Sequence, residues 1–470
     1  MGKLHLAELR DSWSAWLGVC VAFIVVNFTL ALTALAQLAG VRAVQSGTLA
    51  RFDSTAFAFT PAMNFVFCAV IGAVVIGSST SLVVDSRRGS LARLALTGAT
   101  PRQVVSTVMT QLTVVSLACS LIGGALAFVA LQPALDFLAV ERGDGEVVPA
   151  PPAIYALWPV LLASLVAVGL ALLGGYKQAR RASRIPPVEA LRQASGGGRD
   201  ERMTRSRWLG AGLCLLIIVG AFAAIPAITA VRTKETISNL LQASMVLLIV
   251  AAVLLARIAP LVVGPLTRAW TKLVPSFDPS WDLARGTTVA KAARLTKSVV
   301  PVMMAIGLLF GLVALGDTLF SSATANGYVF QVGHAGAATL FLFLGLPLLV
   351  ALAGGVGSLV MMSKQRDAEL ALSGIVGTTP AQRLAMPVME GVIITVTGAI
   401  LSLVMVAVAV GFLAVGFPAA DFNFAFSPSL LTFAIAFLVS LSITVAATLL
   451  PTLASLRRPE PRVIARLVAE

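Results

Sequence analysis

The chain has 470 residues, of which 58% are hydrophobic and only 12% charged, and its mean hydropathy is +0.94. Soluble domains run nearer ~25% charged, so there is too little polar surface to coat a water-soluble core of this size, and the composition excludes that class. The net charge of +13 and isoelectric point of about 10.5 would suggest nucleic acid in a soluble protein. In a membrane protein they ask which side of the bilayer carries the charge.

A transmembrane helix needs about 20 apolar residues. Ten apolar segments follow one another, at about 15–38, 61–84, 104–130, 154–175, 208–230, 239–257, 298–318, 337–361, 384–413 and 429–452. The first is longer than a signal-peptide core and lacks a small-x-small cleavage site, so it is read as a retained span. The third and ninth exceed 25 residues and are expected to tilt or to protrude from the bilayer. With the N-terminus inside, 29 of the 34 Lys and Arg residues fall on inner segments, and only Arg42, Arg51, Arg142, Arg232 and Lys234 fall outside. The positive-inside rule then places both termini in the cytoplasm of a plasma (inner) membrane protein. An added attraction to anionic membrane lipid is generic. The fold class is an all-α polytopic membrane protein of about ten transmembrane helices.

Chemistry-bearing clusters are scarce. Cys20, Cys68, Cys119 and Cys214 each lie in an apolar run and read as small hydrophobes. His5 and His334 cannot build a metal site with lipid-buried thiols. No Gly-x-x-x-x-Gly-Lys-Ser/Thr motif is present, so ATP and its Mg²⁺, if used, belong to another chain. The sequence assigns this chain no catalytic residue, metal or cofactor, no nucleic acid, and no enzyme activity of its own.

An internal repeat is present. RRGSLARLALTGATPRQVV, from Arg87, follows the second span, and RDAELALSGIVGTTPAQRL, from Arg366, follows the eighth. At an offset of 279, Arg87 meets Arg366, Leu91 meets Leu370, and Gly98 meets Gly377. Thr100, Pro101 and Gln103 meet Thr379, Pro380 and Gln382. A weaker match relates Pro187–Arg192 to Pro461–Arg466. Each unit is two spans, an amphipathic segment with a Gly-x-Thr-Pro turn, two spans and a basic tail, so both share one topology. The division is a first four-span unit over 1–194, a Gly-rich and charged linker at 195–206, a central two-span segment over 207–280, and a second four-span unit over 281–470.

The repeated inner segment has its own logic. Leu91, Leu94 and Leu96 lie among Arg87, Arg88 and Arg93, a pattern that fits an interface or a partner's groove. Gly98 supplies a helix C-terminus, Thr100 can cap the next helix, and Pro101 suits its first turn. Arg102 and Gln103 follow, as Gln382 and Arg383 do in the second copy. The bland reading is an ordinary inner loop with helix-start chemistry. Two copies in equivalent places favour a shared task, most simply the docking of two identical partner subunits.

These residues resemble the FtsX-like permease family, the type VII (MacB-like) permease subunits of ABC transporters. There an Arg-rich, Leu/Ala-rich helix leads into a Gly-Ala-Thr-like turn and a long span. ARRASRIPPVEALR, from Ala179, is similar to the family's closing pattern. The second unit departs more, with Lys364-Gln365-Arg366 in place of a full basic cluster and no Leu in Pro461–Arg466. The resemblance implies a permease that binds a separate cytoplasmic ABC ATPase and passes hydrolysis through its spans as movement. It implies export or extraction of a hydrophobic or amphipathic substrate such as a peptide, antibiotic or lipid, including antimicrobial peptide resistance. A signal relay with an extracellular or sensor-kinase partner is a second reading, and an ion-coupled secondary transporter a third. Many relatives carry a large extracytoplasmic domain, but the gaps 39–60 and 319–336 are too short for one.

Two polar residues stand inside apolar runs, Glu390 and its offset counterpart Gln111. Ionisable groups within spans suggest function, against the plainer reading of a structural contact between helices. Asp317 reads as an interface residue and Gly354-Gly355-Val356-Gly357 as small residues for close helix packing. Ile258–Leu273, with Pro260 and Pro265, suggests an interfacial segment.

Overall fold

The structure is a computed structural model that describes residues 13–47, 60–86, 91, 96, 98–137, 150–183, 205–230, 234–275, 278–290, 292–327, 335–361 and 377–456. Among them the regular elements are all helices. They are α1 (Trp13–Gln45), α2 (Thr60–Ser86), α3 (Pro101–Phe137), α4 (Leu157–Ala182), α5 (Arg205–Thr229) and α6 (Lys234–Leu273). There follow α7 (Pro279–Ala290), α8 (Ala292–Ala325), α9 (Ala335–Met361), α10 (Pro380–Ala419) and α11 (Leu430–Leu456). Each apolar segment of the sequence falls on one of these helices. Nine are long and apolar enough to cross a membrane among the described residues, and α9 is a tenth apolar helix.

The helices tolerate hydroxyls because these bond to their own backbone. Thr33, Thr80, Thr318 and Thr395 each donate to the carbonyl four residues earlier, at 2.6–2.9 Å. A polar group satisfied within its own turn can enter an apolar interior. The four cysteines are free thiols.

The repeat is carried by the backbone as well as by the turns. Adding 279 to the ends of α1 gives 292 and 324, against Ala292–Ala325 for α8. For α3 it gives 380 and 416, against Pro380–Ala419 for α10. The register breaks before the last helix of each unit, because the α10–α11 connection is shorter than the α3–α4 connection. Within each unit the first helix touches the other three, α1 on α2, α3 and α4, and α8 on α9, α10 and α11. Glycine permits close approaches among these: a Cβ on Gly123 of α3 would lie 2.7 Å from the Ile24 carbonyl of α1. Asn27 of α1 adds a buried bond across the same contact, its Nδ2 donating to the Ser120 carbonyl at 2.7 Å.

The units join through α9, which packs on both α1 and α2. Gly18 of α1 and Gly357 of α9 meet backbone to backbone, and Gly354 takes the Val75 side chain. The Gly-rich stretch is thus a helix-packing surface.

The central helices belong to one side. α6 lies along α8 and α10, and α5 lies on α6. The effect shows in equivalent positions: Ile393 and Met405 of α10 are fully buried, whereas Val114 and Leu126 of α3 are 44% and 47% exposed. The proposed interfacial segment from Ile258 to Leu273 is instead a continuation of α6, through Pro260 and Pro265. Each proline removes one backbone bond. Packing offsets the loss, since Ala259, Val263, Thr267 and Thr271 are buried against the second unit.

Candidate functional site

Both Gly-Thr-Pro elbows are built alike. Gly98 and Gly377 have φ of +96° and +102°, a left-handed conformation in which a side chain is strained. The next helix then starts with a reciprocal cap. The Thr100 N–H donates to Gln103 Oε1 at 2.8 Å, and the Gln103 N–H donates to Thr100 Oγ1 at 3.4 Å. In the second unit the Thr379 N–H donates to Gln382 Oε1 at 2.9 Å, and the Gln382 N–H donates to Thr379 Oγ1 at 3.3 Å. Pro101 and Pro380 open α3 and α10, where a missing N–H costs nothing.

The elbows present exposed surface. Gly98, Thr100, Pro101, Arg102, Gln103, Gly377 and Thr379 are exposed, while Gln382 and Arg383 are half-buried. Leu91 is buried in the main core, and Leu96, five residues on, is 54% exposed. Among the described residues Leu96 is therefore the large apolar side chain that the first elbow exposes. Arg87, Arg88, Leu94, Arg366 and Leu370 lie outside the described residues.

Gln111 and Glu390 occupy the same place in the two units, each ten residues past the proline that opens its helix. Gln111 is buried and Glu390 half-buried. At 1.5 Å per residue both lie about 15 Å from the elbow.

Sequence reading missed a buttress on the second elbow helix. Asp278 caps α7, its Oδ1 accepting from the Ser280 N–H at 3.0 Å with Pro279 in the first turn. α7 then lays Trp281 and Ala284 against Ile393 and Met389 of α10. Trp281 packs on Trp270 of α6 with ring centroids 6.2 Å apart. The Trp270 Nε1–H donates to Thr397 Oγ1 at 3.0 Å, and the Thr267 hydroxyl lies 3.2 Å from the same oxygen. Arg285 ties α7 back, donating to the Thr271 carbonyl at 3.4 Å. Among the described residues α3 has no comparable packing on α6 or α7. Thr397→Val is expected to cost about 1–3 kcal/mol by leaving the Trp270 indole unsatisfied. The readout is a lowered melting temperature with red-shifted tryptophan emission, restored by Thr397→Ser.

At the opposite end of the bundle, α10 and α11 are joined by residues 420–429. Asp317 and Ser322 of α8, with Asn326 just past its end, hold this connection through Ser429, Ala425 and Asn423. The signal was present in the sequence as the alternation of Phe422, Phe424 and Phe426 with Asn423, Ala425 and Ser427, a period of two in an otherwise helical chain.

The architecture defines a polytopic all-α membrane protein in which two sets of four helices make the same pattern of contacts, with α5 and α6 packed on the second set. The signature of the FtsX-like permease C-terminal family matches residues 62–187 and 341–459, one region in each unit and slightly more than half of the chain. The chain belongs to the FtsX-like permease family. A comparison with curated proteins finds no match. Membership carries, in general terms, the role of a membrane-embedded permease of an ABC transporter that associates with an ABC ATPase.

Proposed function

We propose that this chain couples ATP hydrolysis by a separate cytoplasmic ATPase, bound in two copies at the two elbows, to export or membrane extraction of a hydrophobic or amphipathic substrate. The observation that carries this reading is the capped Gly-Thr-Pro elbow, built twice at the head of helices longer than a bilayer is thick. α3 has 37 residues and α10 has 40, about 55–60 Å at 1.5 Å per residue, against a hydrocarbon core of about 30 Å. Asp136 and Gln111 of α3 are 25 residues apart, about 38 Å. If Asp136 stands in the outer headgroups, Gln111 and its twin Glu390 stand at the inner edge of the bilayer, and the first ten residues of each helix project into the cytoplasm. The basic inner segments support the same orientation.

A displacement imposed on such an elbow moves a stiff, continuous helix that reaches the opposite face. The rigid Thr–Gln cap ensures that it is the helix, not a loop, that receives the force. The domain plan follows: two four-span units that each receive a stroke, and a central pair that braces the second.

The test is purification of the chain in mild detergent from membranes that also contain its ATPase. Two ATPase copies per chain are expected, with ATP hydrolysis that rises when the chain is present. Full-yield recovery of the chain alone, with hydrolysis indifferent to it, would overturn the reading. In the same assay Thr100→Ala with Thr379→Ala, each worth about 1 kcal/mol of helix start, is expected to lower coupled hydrolysis several-fold without lowering chain yield.

A further inference from the structure

The crossing of α1 with α3 brings two thiols together. As the first and third of consecutive spans, α1 and α3 run in the same direction. A Cβ on Gly123 of α3 would lie 2.7 Å from the Ile24 carbonyl oxygen and 2.9 Å from the Phe28 nitrogen of α1. Four residues earlier on each helix, about one turn, stand Cys20 and Cys119. Ser120, beside Cys119, is tied to the same stretch of α1 by the Asn27 bond. The register therefore sets the two cysteines against each other, and their thiols are hydrogen-bonded to one another.

The other two cysteines are placed differently. Cys68 is fully buried and hydrogen-bonded to Thr29, and Cys214 stands on α5 in the field of Arg257. In the second unit the equivalents of the pair are Val299 and Gly398, in a crossing of the same kind: a Cβ on Gly398 would lie 3.2 Å from the Met303 nitrogen. That crossing packs without sulfur, so thiols at both positions of the first unit add a chemistry that packing does not require. Access to them is from lipid. Cys119 is buried and is the middle residue of α3, 18 residues from either end, or about 27 Å. Cys20 is half-buried, flanked on α1 by Leu17 and Val21, which are 42% and 43% exposed. Leu121 and Ile122 of α3 are exposed beside it in the same way, so in a bilayer the approach to Cys20 is through acyl chains.

We propose that Cys20 and Cys119 are an intramembrane redox pair, converted to a disulfide by a lipid-borne hydroperoxide. Cys20, the more accessible, reacts first. Its sulfur takes the terminal oxygen, the O–O bond breaks, and the thiol proton leaves with the alkoxide as an alcohol, so that Cys20 becomes a sulfenic acid. The Cys119 sulfur then displaces the hydroxyl: the S–S bond forms, the S–O bond breaks, and the hydroxyl departs with the Cys119 proton as water. Two thiols and one hydroperoxide thus give one disulfide, one alcohol and one water. A disulfide spans Cβ atoms about 3.5–4.5 Å apart, which thiols in hydrogen-bond contact across so close a crossing can reach. The product ties α1 to α3, the helix that begins at the first elbow. The inference goes beyond the permease reading and does not need it, because the modification is measured with no ATPase present.

The probe is cumene hydroperoxide, added to the full chain in nanodiscs of a saturated phosphatidylcholine, with thiols counted by maleimide after denaturation. Two of the four thiols are expected to be lost and to return with dithiothreitol. Mass spectrometry is expected to find Cys20 joined to Cys119, with Cys68 and Cys214 still reduced. Glutathione disulfide, a charged oxidant confined to water, is expected to leave all four thiols intact. Cys119→Ser is expected to abolish the disulfide and to leave Cys20 as a sulfenic acid that dimedone traps, where the unaltered chain gives little adduct. The thiol count needs no variant, so a misfolded one cannot imitate the result. Four thiols retained after the hydroperoxide, a disulfide between any other pair, equal oxidation by glutathione disulfide, or equal dimedone labelling with and without Cys119 would overturn the proposal. ATPase docking at the elbows would stand in each of those cases.

Discussion

Leu96→Glu is expected to strip the ATPase from the purified chain while the chain itself stays folded. Leu96 is 54% exposed beside the Gly98 turn, so in the free chain its replacement disturbs no core contact. In a docked complex the same position is desolvated, and an unpaired carboxylate there costs several kcal/mol. A loss of about 3 kcal/mol is a factor of more than 100 in affinity, enough to remove the partner during purification. Leu91→Glu is the contrast. Leu91 belongs to the main core, and a charge there is expected to lower chain yield before docking can be scored. The pair is read by the ATPase-to-chain ratio on a gel and by the melting temperature of the chain. Retention of the ATPase by Leu96→Glu at an unchanged melting temperature would show that the first elbow is not the docking surface.

The parts of this fold written locally were legible in the sequence. Hydropathy located the apolar helices, and Gly98, Thr100, Pro101 and Gln103 specify their turn through φ, capping and a missing N–H, all within six residues. Their recurrence at 279 residues' distance located the second unit. What escaped depends on which apolar surface meets which. α6 is apolar along its length, and nothing in its own residues says that it lies on α8 and α10 and not on α1 and α3. The Trp270–Thr397 bond joins residues 127 positions apart, and neither has a local pattern that announces it. Prolines at 260 and 265 pointed to an interfacial segment, but tertiary packing keeps that stretch within α6. The far connection was legible in principle through its period-two phenylalanines, and was overlooked in a chain otherwise governed by a period of 3.6.

The two elbows share their cap chemistry but not their support. α10 carries α7 and the C-terminal half of α6 along its side, through Trp270, Trp281, Ile393 and Thr397, whereas the same face of α3 is open at Val114 and Leu126. On the proposed coupling, a common push at both elbows would meet a braced helix in one unit and an unbraced one in the other.

Gly357→Ala is expected to be among the most damaging single-methyl changes in the membrane core. A Cβ at Gly357 would sit 2.4 Å from the Gly18 carbonyl oxygen, and a Cβ at Gly18 would sit 2.3 Å from the Gly357 carbonyl oxygen. Both obstacles are backbone, which cannot rotate aside, so α1 and α9 must separate. Overpacking of this kind costs about 1–3 kcal/mol, and the crossing carries the α1–α9 junction between the units. Small residues act in membranes by letting backbones approach, and the close packing they permit is lost when they grow. Gly220→Ala in α5 is the control. Nothing lies within 4 Å of its Cβ position, and alanine favours the helix by up to about 1 kcal/mol. Thermal unfolding in nanodiscs is expected to show a lower midpoint for Gly357→Ala and an unchanged or higher one for Gly220→Ala. Gly18→Ala with Gly357→Ala should cost less than the two single changes summed, because the first methyl has already parted the helices that the second would push. Strict additivity would mean that the two glycines do not share one crossing.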